Sequence, residues 1–208
     1  MRKFLDRVGV SDFVLSCIPR VCQTCHVCRE WQRPGPKNGA NIEIADKFNQ
    51  QVEGDILTYE GKLIWHMVDR CTRWHAAMVI QNKDEGTIIN AIHIIWINTH
   101  GPPKELLSDP ESGLVGSHYA QEIMARASVK LLPRGKNQHA PFIERRGALL
   151  RDCLHKIQIQ IRNEEGLTEK DIPFPNMLAE AVFAGSALLT IGDSSPYNAV
   201  YGRVPRIL

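Results

Sequence analysis

Three acidic residues stand in settings where solubility alone does not call for an acid. Asp55 follows Gly54 within an apolar strand pattern, Asp109 closes the short run Glu105-Leu106-Leu107-Ser108, and Glu144 lies near the start of a long helical pattern. Their local frames read as strand end, strand end and helix start. Carboxylates are hard oxygen ligands, the donors that Mg²⁺ or Mn²⁺ prefers. Two such ions about 3.5–4 Å apart clamp the attacking and leaving oxygens of a phosphodiester for in-line displacement. Three acids drawn together repel one another, which couples their titration. Each acid alone reads as an ordinary solvated side chain; only the three jointly point to metal chemistry. Asp69 ends another apolar run and is the rival acid; it reads as a turn-capping residue.

A second chemistry is that of thiols. Cys17, Cys22, Cys25, His26 and Cys28 are crowded near the amino end. Cys22 and Cys25 form a Cys-x2-Cys pair, half of a zinc site, and the remaining ligands must come from elsewhere. The spacing of the four cysteines superficially matches an iron–sulfur run, but the short stretch supplies no enclosing loop. Two readings stay open, half a zinc site and an unliganded remnant with exposed thiols.

Basic and polar residues cluster around Glu144. Arg134, Lys136, Asn137, Gln138 and His139 precede it in a loop, and Arg145, Arg146 and Arg151 follow it. The cations would meet phosphates and position a nucleic acid without reading its sequence. Asn137 and Gln138 have the amide groups that read base edges in a groove. The plainer alternative is a charged loop and a solvated helix face.

The totals set bounds. At 208 residues the chain holds one full domain with something attached, or two small ones. A net charge of +2 leaves nucleic-acid binding open, because a basic patch beside an acidic site cancels in the sum. The most apolar segment, 88–97, is interrupted by Asn90 and His93 and is too short to span a bilayer. No secretory h-region is evident, so the cysteines point to thiol or metal chemistry rather than a disulfide scaffold.

The elements that must position the acids follow from periodicity. Short β-rich runs at 54–59, 62–69 and 74–80, joined by tight turns at Glu60-Gly61 and 70–72, predict an antiparallel meander. Asp84-Glu85 then opens a helix carrying Ile88, Ala91, Ile92, Ile95 and Trp96, which Gly101-Pro102-Pro103 stops. A strand at 105–108, a helix at 117–127 and a strand at 129–132 predict parallel crossover units. A long helix over 141–161 has a buried stripe of Ile143, Leu150, Leu154, Ile157 and Ile161, with Glu144 on a neighbouring line. A last apolar helix covers 177–189. The breaker-rich Pro34-Gly35-Pro36-Lys37-Asn38-Gly39 marks a boundary. Four segments result: a cysteine-bearing segment over 1–33, a linker over 34–50, a core over 51–165 and an extension over 166–208. By pattern alone the core is a mixed α/β domain.

The three acids with their frames, and the run Ser195-Pro196-Tyr197 leading to Tyr201-Gly202-Arg203-Val204-Pro205, resemble the integrase catalytic cores of retroviruses and long-terminal-repeat retrotransposons. The resemblance covers about residues 17–205. Thirty-four residues separate Asp109 from Glu144, one fewer than the family's commonest spacing. It implies a ribonuclease H-like fold, a mixed five-stranded sheet flanked by helices and preceded by a partial zinc-binding segment. It implies that Asp55 bridges two Mg²⁺ or Mn²⁺ ions while Asp109 and Glu144 each hold one. The implied activity is hydrolytic 3′-end processing of double-stranded element ends and strand transfer into target DNA. A homo-oligomer, a nuclear site of action in a eukaryotic host (otherwise intracellular) and no membrane association go with it. Cys22 and Cys25 match the cysteines of the family's zinc module, whose upstream histidines are missing here. The resemblance therefore implies a truncated finger and a fragment of a longer polyprotein. Glu111 and Leu114 depart from the family, which commonly carries Gly and Phe there. Two other readings remain: an inactive integrase-derived module that binds DNA or protein, and a ribonuclease H-like nuclease acting on RNA–DNA hybrids.

Overall fold

The computed structural model describes residues 9–25, 45–109, 113–134, 141–165, 167 and 170–206. The chain divides into two compact units, one spanning Ile44–Arg151, the other joining Met1–Glu43 to Asp152–Leu208.

The first unit is built on a five-stranded sheet. Strands β1 (Gln51–Tyr59), β2 (Lys62–Asp69) and β3 (His75–Ile80) form the antiparallel meander. Strands β4 (Glu105–Ser108) and β5 (Lys130–Pro133) add in parallel on the other side of β1, giving the order β3-β2-β1-β4-β5. Glu60 and Gly61 both have positive φ, 46° and 73°. That pair of conformations makes the tight turn whose twist suits a two-residue hairpin. The turn pins the β1–β2 register from Tyr59↔Lys62 to Val52↔Asp69.

Side-chain alternation along β1 sorts its residues onto two faces. Val52, Gly54 and Ile56 share a face with Trp65 and Met67, the face of the main core. That core is completed by helix α2 (Glu85–Ile92), helix α3 (His118–Arg126) and Leu106 of β4, with Ile88, Ile92, Trp96 and Met124 all fully buried. The helix that starts at α2 is not uniform. It widens into a π-turn over His93–Ile97 before a last α-turn, Asn98–His100. Gly101, at φ 76°, ends it. Asn49 anchors this end: its Oδ1 accepts from the Trp96 indole at 2.8 Å, and its Nδ2 donates to the carbonyls of His100, Gly101 and Pro102.

The opposite face of β1 carries Glu53, Asp55 and Leu57, aligned with Val68, His66 and Ile64 of β2. Helix α4 (Pro141–Gln160) supplies the cover, with Ile143 packed on Val68. Gly147 brings the helix close to the sheet: a Cβ there would lie 3.5 Å from Leu57 Cδ1 and 3.8 Å from His66 Nδ1.

In the second unit, helix α1 (Asp12–Thr24) holds Cys17 and Cys22 and ends at Cys25. Helix α5 (Phe174–Leu188) buries Met177, Leu178, Ala181 and Ala187. Helix α6 (Pro196–Tyr201) has both ends written locally. Ser195 Oγ accepts from the Asn198 N–H, Pro196 occupies the first turn, and Gly202 takes the left-handed conformation at φ 66°.

Candidate active site

The pairing of β1 with β4 brings two of the three acids together. Gly54 is the last residue of β1 aligned with β4, opposite Ser108. Asp55 and Asp109 are therefore each one residue beyond the end of the same parallel pairing. Asp55 is not a strand end, as its sequence frame suggests. It lies inside β1, which runs on to Tyr59 against β2 after β4 has stopped. A partner that leaves early exposes a central residue on one side only. Gly54 is required beneath it, since a Cβ at that position would come within 2.6 Å of the buried Trp65 ring.

Glu144 occupies the first turn of α4 and is exposed, between buried Ile143 and buried Arg146. Its charge and that of Asp109 both reach Asp55. Burial is the main cause that raises the Asp55 pKa, Arg134 and the Ile56 N–H oppose it, and the carboxylates of Asp109 and Glu144 raise it further. The three acids thus form one electrostatic group. Around Asp55 the donors are few: its Oδ1 accepts from Ile56 N–H at 2.8 Å, and Arg134 Nη1 stands 3.7 Å from Oδ2.

In kind, this donor set fits a hard divalent cation, being all carboxylate oxygen with mutual repulsion for a cation to relieve. In spacing it is open. Among the described residues, no three His, Cys, Asp or Glu side chains are close enough to form a ligand set. The same holds at the amino end, where the described residues offer no third ligand beside Cys22 and Cys25. No disulfide joins Cys17, Cys22, Cys25, Cys71 and Cys153. His26 and Cys28 lie outside the described residues, as do Glu111 and the loop residues Lys136, Asn137, Gln138 and His139.

Of the basic residues singled out by sequence, Arg145 is exposed beside Glu144 and Arg151 is half-buried. Arg134 is buried, donating through Nη2 to the Gly54 carbonyl at 3.2 Å while facing Asp55. Arg146 is buried too, its guanidinium donating to the Arg73 carbonyl at 2.6 Å. Asp69 is fully buried and accepts from the Asn49 N–H and from the N–H and hydroxyl of Thr72. These bonds hold the β2–β3 turn closed.

Two features went unread in the sequence. Glu53 is buried on the face of Asp55 and accepts the Ile143 N–H at 3.0 Å. Its signal was period two: an acid two residues before Asp55 must share its face. His66, the cross-strand partner of Asp55, is buried against His75, with Nε2 and Nδ1 3.0 Å apart. Burial above all, with the cations Arg146 and Arg151, lowers the His66 pKa to about 3.

Solved structures share this fold. The HTLV-2 integrase catalytic core domain, in complex with magnesium and in dimeric form, superposes with a TM-score of 0.62 at 16% identity, over 74% of this chain and 97% of that one. The simian T-cell lymphotropic virus intasome, in complex with PP2A regulatory subunit B56 gamma, gives 0.62 at 17% identity, over 100% of this chain and 77% of that one. The BIV integrase catalytic core gives 0.59 at 16% identity, over 72% and 92%. This is the retroviral integrase core fold. No protein-family model and no curated protein matches the sequence. The likeness to the integrase cores is one of fold, and it agrees with the ribonuclease H-like sheet implied by the acids and the carboxyl-terminal run. No described helix is long and apolar enough to cross a membrane.

Proposed function

We propose that the chain is a retroelement-integrase-type polynucleotidyl transferase, with Asp55, Asp109 and Glu144 as its metal-binding acids. The observation that carries this reading is Asp55: a carboxylate one residue past the β1–β4 pairing, short of donors and within the field of two further acids. When bound there, a pair of Mg²⁺ or Mn²⁺ ions supplies Lewis-acid activation of the attacking and leaving oxygens. The chain's own residues do the rest. Asp55, Asp109 and Glu144 present oxygen ligands from β1, the end of β4 and α4. Arg134 favours the charged form of Asp55 and fixes the strand beneath it. Arg145 and Arg151 face phosphates of double-stranded DNA, joined by Lys136, Asn137, Gln138 and His139 of the preceding loop.

The reactions are hydrolytic trimming of element ends and transfer of the freed 3′ hydroxyl to target DNA, carried out by a homo-oligomer in the nucleus of a eukaryotic host. The dimeric and trimeric forms of the HTLV-2 core support the oligomer. A zinc ion at Cys22 and Cys25 belongs to the same reading, with its further ligands supplied from outside the described residues.

The test is cleavage and joining of labelled duplex DNA by the purified chain with Mn²⁺ or Mg²⁺, alongside Asp55→Asn, Asp109→Asn and Glu144→Gln. Loss of activity in all three folded variants supports the reading. A second reading, a non-catalytic DNA-binding or protein-binding module, draws on the open spacing of the acids. DNA binding that is indifferent to divalent ions, in a folded but inert chain, would favour it.

A further inference from the structure

Helix α4 carries Glu144 on its first turn, and a helix's first turn is its least determined part. The leading N–H groups of a helix have no partners within it. Pro141 has no N–H to offer, and the Ile143 N–H is taken by a side chain ninety positions away in sequence, the carboxylate of Glu53 at 3.0 Å. Glu53 is 3% exposed. A carboxylate at this end of the helix also meets the positive end of its dipole. Its charge is balanced by Arg70, whose Nε lies 3.4 Å from Oε1.

The remaining contacts of the turn converge on the same point. The Phe142 ring lies under the Arg73 guanidinium at 3.7 Å and near that of Arg70 at 5.2 Å. One turn further on, Arg146 donates to the Arg73 carbonyl at 2.6 Å. Ile143 packs on Val68. Residues 142, 143 and 146 are thus each tied to β1, β2 or the β2–β3 turn, while Glu144 between them is exposed.

From this we infer that Glu53 is a positioning residue, a helix cap supplied by β1 that orients Glu144 toward Asp55 and Asp109. Glu53 and Asp55 project from the same face of one strand two residues apart. One strand therefore presents an acid of the site and also sets the helix that presents another, which fixes their separation through a single rigid element. The cap itself stands on geometry alone; its role for Glu144 rests on the metal-site reading above.

The experiment uses the full chain and the variants Glu53→Ala, Glu53→Gln and Phe142→Ala, with two readouts. The first is amide hydrogen exchange, residue by residue. Glu53→Ala should speed exchange across residues 142–146 by about tenfold, the size of a lost cap, while strand β2 is unchanged. Glu53→Gln keeps an acceptor for the Ile143 N–H and should restore most of the protection. The second is Mn²⁺ binding followed by electron paramagnetic resonance, where Glu53→Ala should weaken affinity by about tenfold or more and Glu53→Gln by less. If Glu53→Ala does not fold, Phe142→Ala loosens the same turn from its outer side and should move both readouts the same way. First-turn exchange at wild-type rates would overturn the cap. Faster exchange with unchanged Mn²⁺ affinity would overturn the positioning role. Mn²⁺ binding that ignores Asp55→Asn would instead defeat the metal-site reading, and the exchange data would still judge the cap.

Discussion

Asp69 and Asp55 both belong to the β1–β2 ladder, but alternation sets them on opposite faces and the protein treats them differently. Asp69 faces the main core and is fully buried. Both of its oxygens are assigned: Oδ1 to the Asn49 N–H at 2.9 Å, Oδ2 to the Thr72 N–H and hydroxyl at 2.6 and 2.9 Å. Those donors come from its own turn and from the segment entering β1. Asp55 lies on the α4 face with one N–H from the next residue, an arginine at 3.7 Å, and two further acids in its field. Exposure and the supply of donors together separate the structural acid from the candidate metal ligand: the Asp55 side chain is 37% exposed with few protein donors, whereas Asp69 is sealed from solvent and bonded at both oxygens.

Substitution should break the two acids in opposite directions. Asp55→Asn is expected to lower metal-dependent DNA cleavage by at least about a hundredfold, while leaving the melting temperature equal or higher because like-charge repulsion is relieved. Asp69→Ala should cost about 3 kcal/mol of stability, since it leaves three part-buried donors without their acceptor. Thermal unfolding and a cleavage assay on both variants check this, and an Asp55→Asn protein that melts as early as Asp69→Ala would erase the contrast.

The strand beneath Asp55 sharpens the comparison. Gly54→Ala would place a methyl 2.6 and 2.9 Å from two atoms of the buried Trp65 ring. A loss of about 1–3 kcal/mol in chemical denaturation is expected for such overpacking. Full stability there would mean that Gly54 is not needed for the close approach.

The α4 face should also show in the pH dependence. Unfolded His66 takes up a proton below its ordinary pKa of 6.5, whereas the folded protein does so only near 3. Stability should therefore fall as pH drops through that window, by up to roughly 1.4 kcal/mol per pH unit. His66→Gln should flatten this acid limb. Glu53 and Asp69, both raised mainly by burial, work the other way: their contribution is lost as pH rises through their elevated pKa values. An acid limb unchanged by His66→Gln would assign it to other groups.

The smallest effect belongs to Gly147. Its added Cβ would make only ordinary contacts with Leu57 and His66. Gly147→Ala should then gain about 0.5–1 kcal/mol through helix propensity and a less flexible unfolded chain. Loss of stability would show a tighter fit of α4 on the sheet than those distances give.

Much of the local architecture was legible. The bounds of β2 and β4, the Glu60-Gly61 turn and the start of α4 follow from patterns a few residues long. The π-turn at His93–Ile97 was not, because the buried spacing of Ile88, Ile92 and Trp96 reads as an unbroken helix. Arg134 and Arg146 read as surface cations, and their burial depends on carbonyls of Gly54 and Arg73 far away in sequence.

By itself the sequence determined which residues of β1 share a face, where the turns fall and which acids are set in ordered frames, because these depend on dihedral preferences and periodicity over a few residues. Only the tertiary structure decided that β4 lies beside β1 in a register whose last pair is Gly54 and Ser108, which leaves Asp55 and Asp109 each one residue beyond a shared edge. It also decided that Glu53 reaches the first turn of α4. Those pairings join segments 54 and 90 residues apart. They are settled by how Trp65, Trp96 and Leu106 fill one core and Val68 and Ile143 another, a packing that no local pattern encodes.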